Sequence, residues 1–135
     1  MSKKLTIVGL GPGPASCLSL GTLELFQGPV KIILRTAVHP TVAELERRGI
    51  KFTACDNYYE AGQSFEEVYD KIVKFVKGAC KDDDVVYAVP GSPLVAEKTV
   101  VLLREQAQAA GIELTIVTAM SFLDPAYLAL GIDPL

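Results

Sequence analysis

The segment GLGPGP, at positions 9–14, is the first part of the sequence whose residue types could bind a ligand. It follows an apolar run and precedes an amphipathic stretch, which is the position of the phosphate-binding loop in dinucleotide-binding proteins. A pyrophosphate cradle uses backbone N–H groups, and Pro12 and Pro14 have none. Pro14 also replaces the third glycine of that fingerprint. The loop therefore favours a ligand without phosphates, and the alternative is a tight turn that binds nothing.

Two further segments occupy the same kind of position, between an apolar run and a helical pattern. VPGSPLVAE, at 89–97, combines two prolines that stiffen a turn with Gly91, which allows close backbone approach, and Ser92, which could cap a helix. TAMSFLD, at 118–124, offers two hydroxyl side chains as helix caps. Each segment alone is also explained as a capped loop without a ligand.

Three residues near the second apolar run have two interpretations each. Arg35, Thr36 and His39 could face a cleft, or they could be turn residues with ordinary hydrogen bonds, which is the preferred interpretation of His39. Arg35 stands where an NAD site would have an acidic residue for the ribose, so only an NADP site would suit it. No carboxylate, histidine or cysteine is identified as a general base.

The elements that must position these segments follow from hydrophobic periodicity. Short apolar runs rich in Val, Ile or aromatic residues predict strands at 5–10, 31–35, 51–55, 85–89 and 114–117. Amphipathic segments predict helices at about 18–27, 41–48, 64–80, 94–110 and 125–130. Ser64 and Glu67 form a predicted capping box. The polar stretch 55–63 is predicted to be a loop, either lining the ligand edge or lying on the surface.

This alternation of strands and helices predicts an α/β fold. The sheet should be five-stranded and mostly parallel, with right-handed crossovers and helices on both faces. In such sheets, ligands bind beyond the carboxyl ends of the strands. The three chemistry-bearing loops are therefore expected at one edge of the sheet.

Composition narrows the class of protein. The 135 residues suit one domain, and the net charge of −3 is spread without a dense basic stripe, so nucleic acid is not an expected partner. No apolar run suits a membrane span or a signal peptide, and a cytoplasmic protein is expected. Cys17, Cys55 and Cys80 are odd in number and widely spaced beside one histidine, which supports neither disulfides nor a metal site.

Taken together, the three loops resemble those of the tetrapyrrole methylases. That family has a GxGPG loop after the first strand, a GDP-type turn after the fourth, and a small-residue segment ending in Ser after the fifth. The segments RTAVHPTV, PGSPLVAEKTV and AMSFLD are most similar to the methylase-like domain that precedes a MazG-type nucleotide pyrophosphohydrolase in some bacterial proteins. The resemblance covers essentially the whole chain.

The resemblance implies an S-adenosylmethionine-dependent methyltransferase of two lobes, with the cofactor between them and S-adenosylhomocysteine as product. Residues 1–120 would be the N-terminal α/β lobe, and residues 121–135 a short helix and the start of a linker to a second lobe. The methyl acceptor would be an unidentified small molecule. The chain alone is expected to be inactive, and apolar surface around Phe122 to favour a homodimer. The alternative is a regulatory or interaction module that keeps the fold.

The resemblance also assigns site residues. The family's cofactor contacts correspond to Gly11, Pro12, Gly91, Ser92, Val95, Ser121 and Phe122. Two positions depart from the family pattern, because Ser92 replaces the Asp of the GDP turn and Ala119 replaces a glycine of the third segment. These departures bear on cofactor affinity and on retention of methylation. Methyl transfer by in-line displacement depends largely on positioning and needs no general base.

Overall fold

A computed structural model of the chain describes residues 3–61 and 64–135. The strands are β1 (Lys4–Gly9), β2 (Lys31–Leu34), β3 (Thr53–Ala54), β4 (Val85–Val89) and β5 (Glu113–Ile116). The helices are α1 (Leu20–Phe26), α2 (Val42–Arg47), α3 (Asp56–Glu60), α4 (Phe65–Ala79), α5 (Lys98–Gln106) and α6 (Leu123–Leu130), and a 3-10 turn, Ala15–Cys17, precedes α1.

The five strands form one sheet in the order β3-β2-β4-β1-β5, and every pair is parallel. The predicted α/β fold is therefore confirmed, and the sheet is parallel throughout. β4, β1 and β5 lie side by side, although β1 comes first in the sequence. Because parallel strands end at the same edge, this order brings the loops that follow these three strands next to one another.

Helices cover both faces of the sheet. On one face, Leu5, Ile7 and Tyr87 pack against α4 and α5 in a buried cluster. On the other, Val8 and Leu34 pack in a second cluster with residues of α1 and α2. All five residues of β4 are buried, as expected for a central parallel strand covered on both sides. The sequence of β4 is therefore a continuous apolar run.

The predicted N-terminus of α4 is confirmed. The Ser64 hydroxyl accepts a hydrogen bond from the backbone N–H of Glu67 at 3.3 Å, which satisfies one of the helix's free donors. Four apolar side chains, at 68, 72, 73 and 76, lie on the buried side of this helix. Their spacing is the i, i+4 and i+8 pattern from which the helix was predicted.

The predicted helix at 94–110 is wrong in its first turn, because α5 begins only at Lys98. The backbone N–H of Val95 donates to the carbonyl of Ser92 at 3.2 Å, which closes a tight turn. Ala96 then has a φ of +56°, in the left-handed region that cannot continue a right-handed helix. The consequence is that the whole segment between β4 and α5 remains irregular.

The predicted loop at 55–63 is also partly wrong, because Asp56–Glu60 forms helix α3. Gly62 and Gln63 of that prediction lie outside the described residues. Asp56, the first residue of this helix, explains why the segment is ordered: its carboxylate accepts hydrogen bonds from the Thr36 hydroxyl and from the Ala37 N–H. α3 is thus fixed to the segment that follows β2.

A buried polar contact joins the sheet to α5. Tyr87, in the middle of β4, is fully buried, and its hydroxyl lies 2.8 Å from Thr99 Oγ1. Burial raises the pKa of Tyr87 far above its usual range, so the phenol stays protonated. Thr99 is only 1% exposed, so the contact is shielded from water.

We expect Tyr87→Phe to lower the free energy of unfolding of this chain by about 1–3 kcal/mol, because the Thr99 hydroxyl loses a buried partner. Urea unfolding followed by circular dichroism measures the change. The double variant Tyr87→Phe/Thr99→Val should recover part of the loss, since no buried polar atom is then left over. A double variant with the sum of the two single losses would show that the hydroxyls do not interact.

Candidate functional site

The loops that follow β1 and β4 are joined by a pair of backbone hydrogen bonds. The Gly11 N–H donates to the Gly91 carbonyl at 3.1 Å, and the Gly91 N–H donates to the Gly11 carbonyl at 2.9 Å, which makes an isolated antiparallel bridge. Both N–H groups are therefore occupied within the protein. A phosphate cradle in this loop would need such donors to be free, so the bridge argues against a phosphate-binding loop.

Gly9 is the point where all three loops meet. A Cβ atom at this position would lie 2.2 Å from the Gly91 carbonyl oxygen and 2.6 Å from the Cβ of Ala119. Only a glycine fits there. Gly9 was part of the GLGPGP motif but was given no role of its own, and its importance depends on a contact 82 residues away along the chain that spacing does not reveal.

His39 holds the first loop from the side of β2. Its Nδ1 accepts a hydrogen bond from the Thr41 N–H at 3.1 Å, so its Nε2 carries the proton and donates to the Gly11 carbonyl at 2.8 Å. The Thr41 hydroxyl also lies 3.3 Å from the Gly13 carbonyl oxygen. His39 therefore makes ordinary hydrogen bonds near the start of α2, as preferred from the sequence, and it also lines the cleft described next.

A cleft of about 290 Å³ opens between these loops at the carboxyl edge of the sheet. All seven residues assigned to the cofactor by resemblance line it: Gly11, Pro12, Gly91, Ser92, Val95, Ser121 and Phe122. The lining also includes His39, Pro90, Ala96 and Glu97. The structure thus brings together residues from the three segments, and their role in binding a cofactor stays a prediction.

The two serines of the cleft are held by their own loops. Ser92 Oγ accepts the Leu94 N–H, and Ser121 Oγ accepts the Leu123 N–H, each at 3.2 Å. These are local turns of the Ser/Thr type. The expectation that Ser92 caps a helix was wrong, because α5 starts only at Lys98. Ser121 is not the N-cap residue of α6, but its oxygen accepts the N–H of the first residue of that helix. Because each oxygen accepts its bond, each O–H can still donate to a ligand.

An ion pair closes the side of the cleft towards β2. Arg35 Nε lies 3.2 Å from a carboxylate oxygen of Glu97, and a terminal guanidinium nitrogen of Arg35 donates to the Tyr59 hydroxyl at 3.0 Å. The ion-pair contact is not aligned as a hydrogen bond, so the buried Nε has no hydrogen-bond partner among the residues the structure describes. Arg35 is occupied by Glu97 and Tyr59, which weakens its interpretation as the phosphate ligand of an NADP site.

Glu97 is the residue that the sequence interpretation missed. Its side chain is 10% exposed and lines the cleft. Burial raises the pKa of the Glu97 carboxyl, and the positive charge of Arg35 opposes that rise. Glu97 appeared only as the last residue of VPGSPLVAE, within the helix predicted at 94–110. The left-handed turn at Ala96 brings it to the cleft instead.

A larger cleft of about 470 Å³ lies at the opposite, amino edge of the sheet. Four lysines line it: Lys3, Lys74, Lys77 and Lys81. Three of them are in or just after the last turns of α4, where positive charge complements the helix dipole. The Lys77 ammonium donates to the Gln106 side chain at 2.8 Å. We place the candidate site in the smaller cleft, because the motif residues converge there.

The cysteines have the character of core residues. Cys55 and Cys80 are buried, and burial raises the pKa of the Cys55 thiol to about 12 and that of Cys80 to about 11. Within residues 3–61 and 64–135, no three His, Cys, Asp or Glu side chains are grouped to hold a metal ion. Over the same ranges, no helix is long and apolar enough to cross a bilayer.

The fold is that of a known family. The family model of the Tetrapyrrole (Corrin/Porphyrin) Methylases matches residues 4–134, and the chain belongs to this family. Among curated proteins, it is 39% identical over 135 residues to the uncharacterized protein YabN of Bacillus subtilis (strain 168). The match covers all of this chain and 28% of YabN.

Two solved structures have the same fold. The uroporphyrin-III-C-methyltransferase of Thermus thermophilus superposes with a TM-score of 0.67 at 23% identity, over 98% of this chain and 55% of that one. A diphthine synthase superposes with a TM-score of 0.73 at 20% identity, over 97% of this chain and 50% of that one. This chain therefore spans about half the length of these structures.

Gly9→Ala should destabilise this chain by about 1–3 kcal/mol or more, because the new methyl group would overlap backbone and Ala119. Gly13→Ala is the matched control. A Cβ at Gly13 meets nothing within 4 Å, so this substitution should change stability by less than about 0.5 kcal/mol. Thermal unfolding of both variants measures the difference. Equal melting temperatures would show that the loops do not pack at Gly9.

Proposed function

We propose that this chain binds S-adenosylmethionine in the cleft between its three carboxyl-edge loops, as the N-terminal lobe of a methyltransferase with S-adenosylhomocysteine as product. The observation that carries the proposal is that the seven residues assigned by resemblance line one cleft. Membership of the family from which these residues were assigned also supports it. The chain's own residues would hold and orient the cofactor, which supplies an activated methyl group when bound.

The chemistry of the lining suits such a ligand. Pro12 and Pro90 offer no backbone donors, and the donors of Gly11 and Gly91 are occupied by each other. A phosphate group would find few partners there. Apolar side chains such as Phe122, together with two serine hydroxyls that can donate, suit an uncharged adenosine and a thioether or sulfonium chain better.

The size of the cleft favours a second lobe. Its volume of about 290 Å³ is at the lower end of the roughly 300–1,000 Å³ of small-molecule sites. Met120, Phe122 and Leu123 beside it are exposed, Phe122 by 57%. We propose that a second lobe of the natural polypeptide covers these residues and encloses the ligand. In its absence, the same apolar surface would favour a homodimer.

The wider setting of the domain is also a proposal. The match over 28% of YabN supports a longer polypeptide. The proposal that this polypeptide carries a MazG-type pyrophosphohydrolase rests only on the similarity of three segments to methylase-like domains that precede such an enzyme. The methyl acceptor would be a small molecule, and the cytoplasm is the expected location.

A second candidate function is a regulatory module that keeps the methylase fold and binds the cofactor without transferring the methyl group. The observation in its favour is Ser92, which replaces the family's Asp and whose oxygen is engaged by the Leu94 N–H. The two candidates differ in turnover. Release of labelled methyl groups to a cell extract of small molecules would support the enzyme, and cofactor binding without any release would support the module.

In competition calorimetry, the natural polypeptide that carries this chain should bind S-adenosylmethionine or S-adenosylhomocysteine at least about tenfold more tightly than NADP or ATP. The reason is the shortage of phosphate-binding donors at the Gly11–Gly91 bridge. Tighter binding of NADP, lost on Arg35→Gln, would overturn the proposal and return Arg35 to the role of a phosphate ligand.

Gly91→Asn should weaken S-adenosylhomocysteine binding about tenfold with little change in melting temperature. Gly91 has a φ of +64°, which Asn tolerates better than other residues, and nothing in the chain lies within 4 Å of its Cβ position. The new side chain would therefore occupy space left for a ligand. Gly49→Asn is the control, because Gly49 has a φ of +71° and the same open surroundings away from the cleft.

Comparing Gly91→Asn with Gly49→Asn separates two effects: the loss of space for a ligand at position 91, and the strain of an Asn side chain at a positive φ. Equal affinities for the two variants would show that no ligand approaches Gly91. A fall in melting temperature confined to Gly91→Asn would instead make Gly91 a structural turn residue.

A further inference from the structure

Glu97 gives the candidate cleft its single carboxylate among the lining residues. The remainder of the lining consists of glycine, proline, alanine, valine and phenylalanine residues, two serines and His39. Glu97 therefore carries the one carboxylate that a bound ligand would meet among these lining residues. A nearly buried carboxylate on a ligand-facing wall is costly unless something positive or hydrogen-bonding faces it.

The geometry of the ion pair leaves part of this carboxylate for a ligand. Arg35 approaches through one nitrogen, at 3.2 Å from one of the two carboxylate oxygens. Among the described residues, only Arg35 forms an ion pair with Glu97. Arg35 itself is absent from the cleft lining, because it extends from the end of β2 towards Tyr59. The Glu97 carboxylate therefore faces the cleft, and the Arg35 guanidinium lies on the far side of that carboxylate.

Arg35 has a supporting role in this arrangement. Burial alone would favour the protonated form of a carboxyl group, and an adjacent guanidinium favours the ionised form. Arg35 in turn is fixed by the Tyr59 hydroxyl at 3.0 Å, and Tyr59 belongs to α3, which Asp56 ties to the segment after β2. Arg35, held in place by Tyr59, therefore favours the ionised form of the Glu97 carboxyl group in the cleft wall.

We propose that Glu97 recognises the positive charge of S-adenosylmethionine and makes the site prefer this cofactor over S-adenosylhomocysteine. This inference rests on the proposed function and deepens it. The two ligands differ by a methyl group and by the charge of the sulfur, which is positive in the sulfonium and neutral in the thioether. A carboxylate near the sulfur attracts the sulfonium and gains no such attraction from the neutral thioether, whereas any contact with the α-ammonium group would be common to both ligands.

Such a preference has a chemical use. Transfer of the methyl group to the acceptor would form an acceptor–methyl bond and break the sulfur–methyl bond, whose electron pair would stay on the sulfur and remove its positive charge. The attraction to Glu97 is then lost at the moment when the product must be exchanged for new cofactor. Glu97 would act as a specificity residue, and it need not touch the methyl acceptor.

The test compares three ligands by calorimetry with the natural polypeptide that carries this chain. They are S-adenosylmethionine, S-adenosylhomocysteine and sinefungin, in which an amino-bearing carbon keeps a positive charge without a transferable methyl group. Glu97→Gln should reduce the preference for the two cationic ligands over S-adenosylhomocysteine about fivefold, a modest factor because Arg35 and water screen the charge. Affinity for S-adenosylhomocysteine should change less than about twofold.

Two further variants keep the test decisive. Glu105→Gln makes the same charge change at an exposed position of α5, and it should leave all three affinities unaltered. The double variant Arg35→Gln/Glu97→Gln removes both charges, so it avoids a buried unpaired guanidinium and should lose the same preference if Glu97→Gln alone does not fold.

The outcomes separate this inference from the function on which it rests. Wild-type protein that binds none of the three ligands overturns both. Wild-type protein that binds them, with Glu97→Gln weakening all three equally or none, overturns the role of Glu97 and leaves the cofactor site standing. Loss of preference for the cationic ligands alone supports the proposal.

Discussion

The reciprocal hydrogen bonds between Gly11 and Gly91 are the constraint on which the candidate site depends. They fix two loops that are far apart in sequence, and the space for this approach exists because Gly9 has no side chain. His39 also holds the first loop, through its hydrogen bond to the Gly11 carbonyl. Ala119, in the loop after β5, packs next to Gly9. Because the N–H groups of Gly11 and Gly91 donate to each other's carbonyls, they are not free to bind a ligand. The same hydrogen bonds therefore determine both the shape of the cleft and its shortage of donors.

The sequence predicted the inner strands of the sheet well because β1, β2 and β4 are mostly buried. Continuous apolar runs bounded by Gly, Pro or Asp indicated each strand, and Ser64 marked the start of α4 correctly. The two failures had different causes, the first a distant contact and the second a local backbone conformation. Asp56 reaches back to Thr36 and makes a helix of a predicted loop, whereas the left-handed Ala96 delays α5.

The same reasoning explains which site residues could be found in advance. Gly11, Ser92 and Ser121 lie in segments whose composition is unusual, so a motif reveals them. Glu97 and Arg35 are 62 positions apart, and the sequence around neither residue indicates that the two form an ion pair. Charged residues in amphipathic surroundings look like solvated surface until the backbone turns one of them inward. Site residues that are recognised by their contact with each other, such as Glu97 and Arg35, can be identified only from the structure.

The place of β1 in the sheet determines when a binding site can exist. β1 is made first but lies between β4 and β5, which are made last, so its neighbours arrive only after most of the chain has been synthesised. Contacts of such long sequence separation form slowly, because closing a long loop costs entropy before the contact is gained. The candidate cleft therefore assembles late in folding, and a ligand that binds it would stabilise only chains whose sheet is already complete.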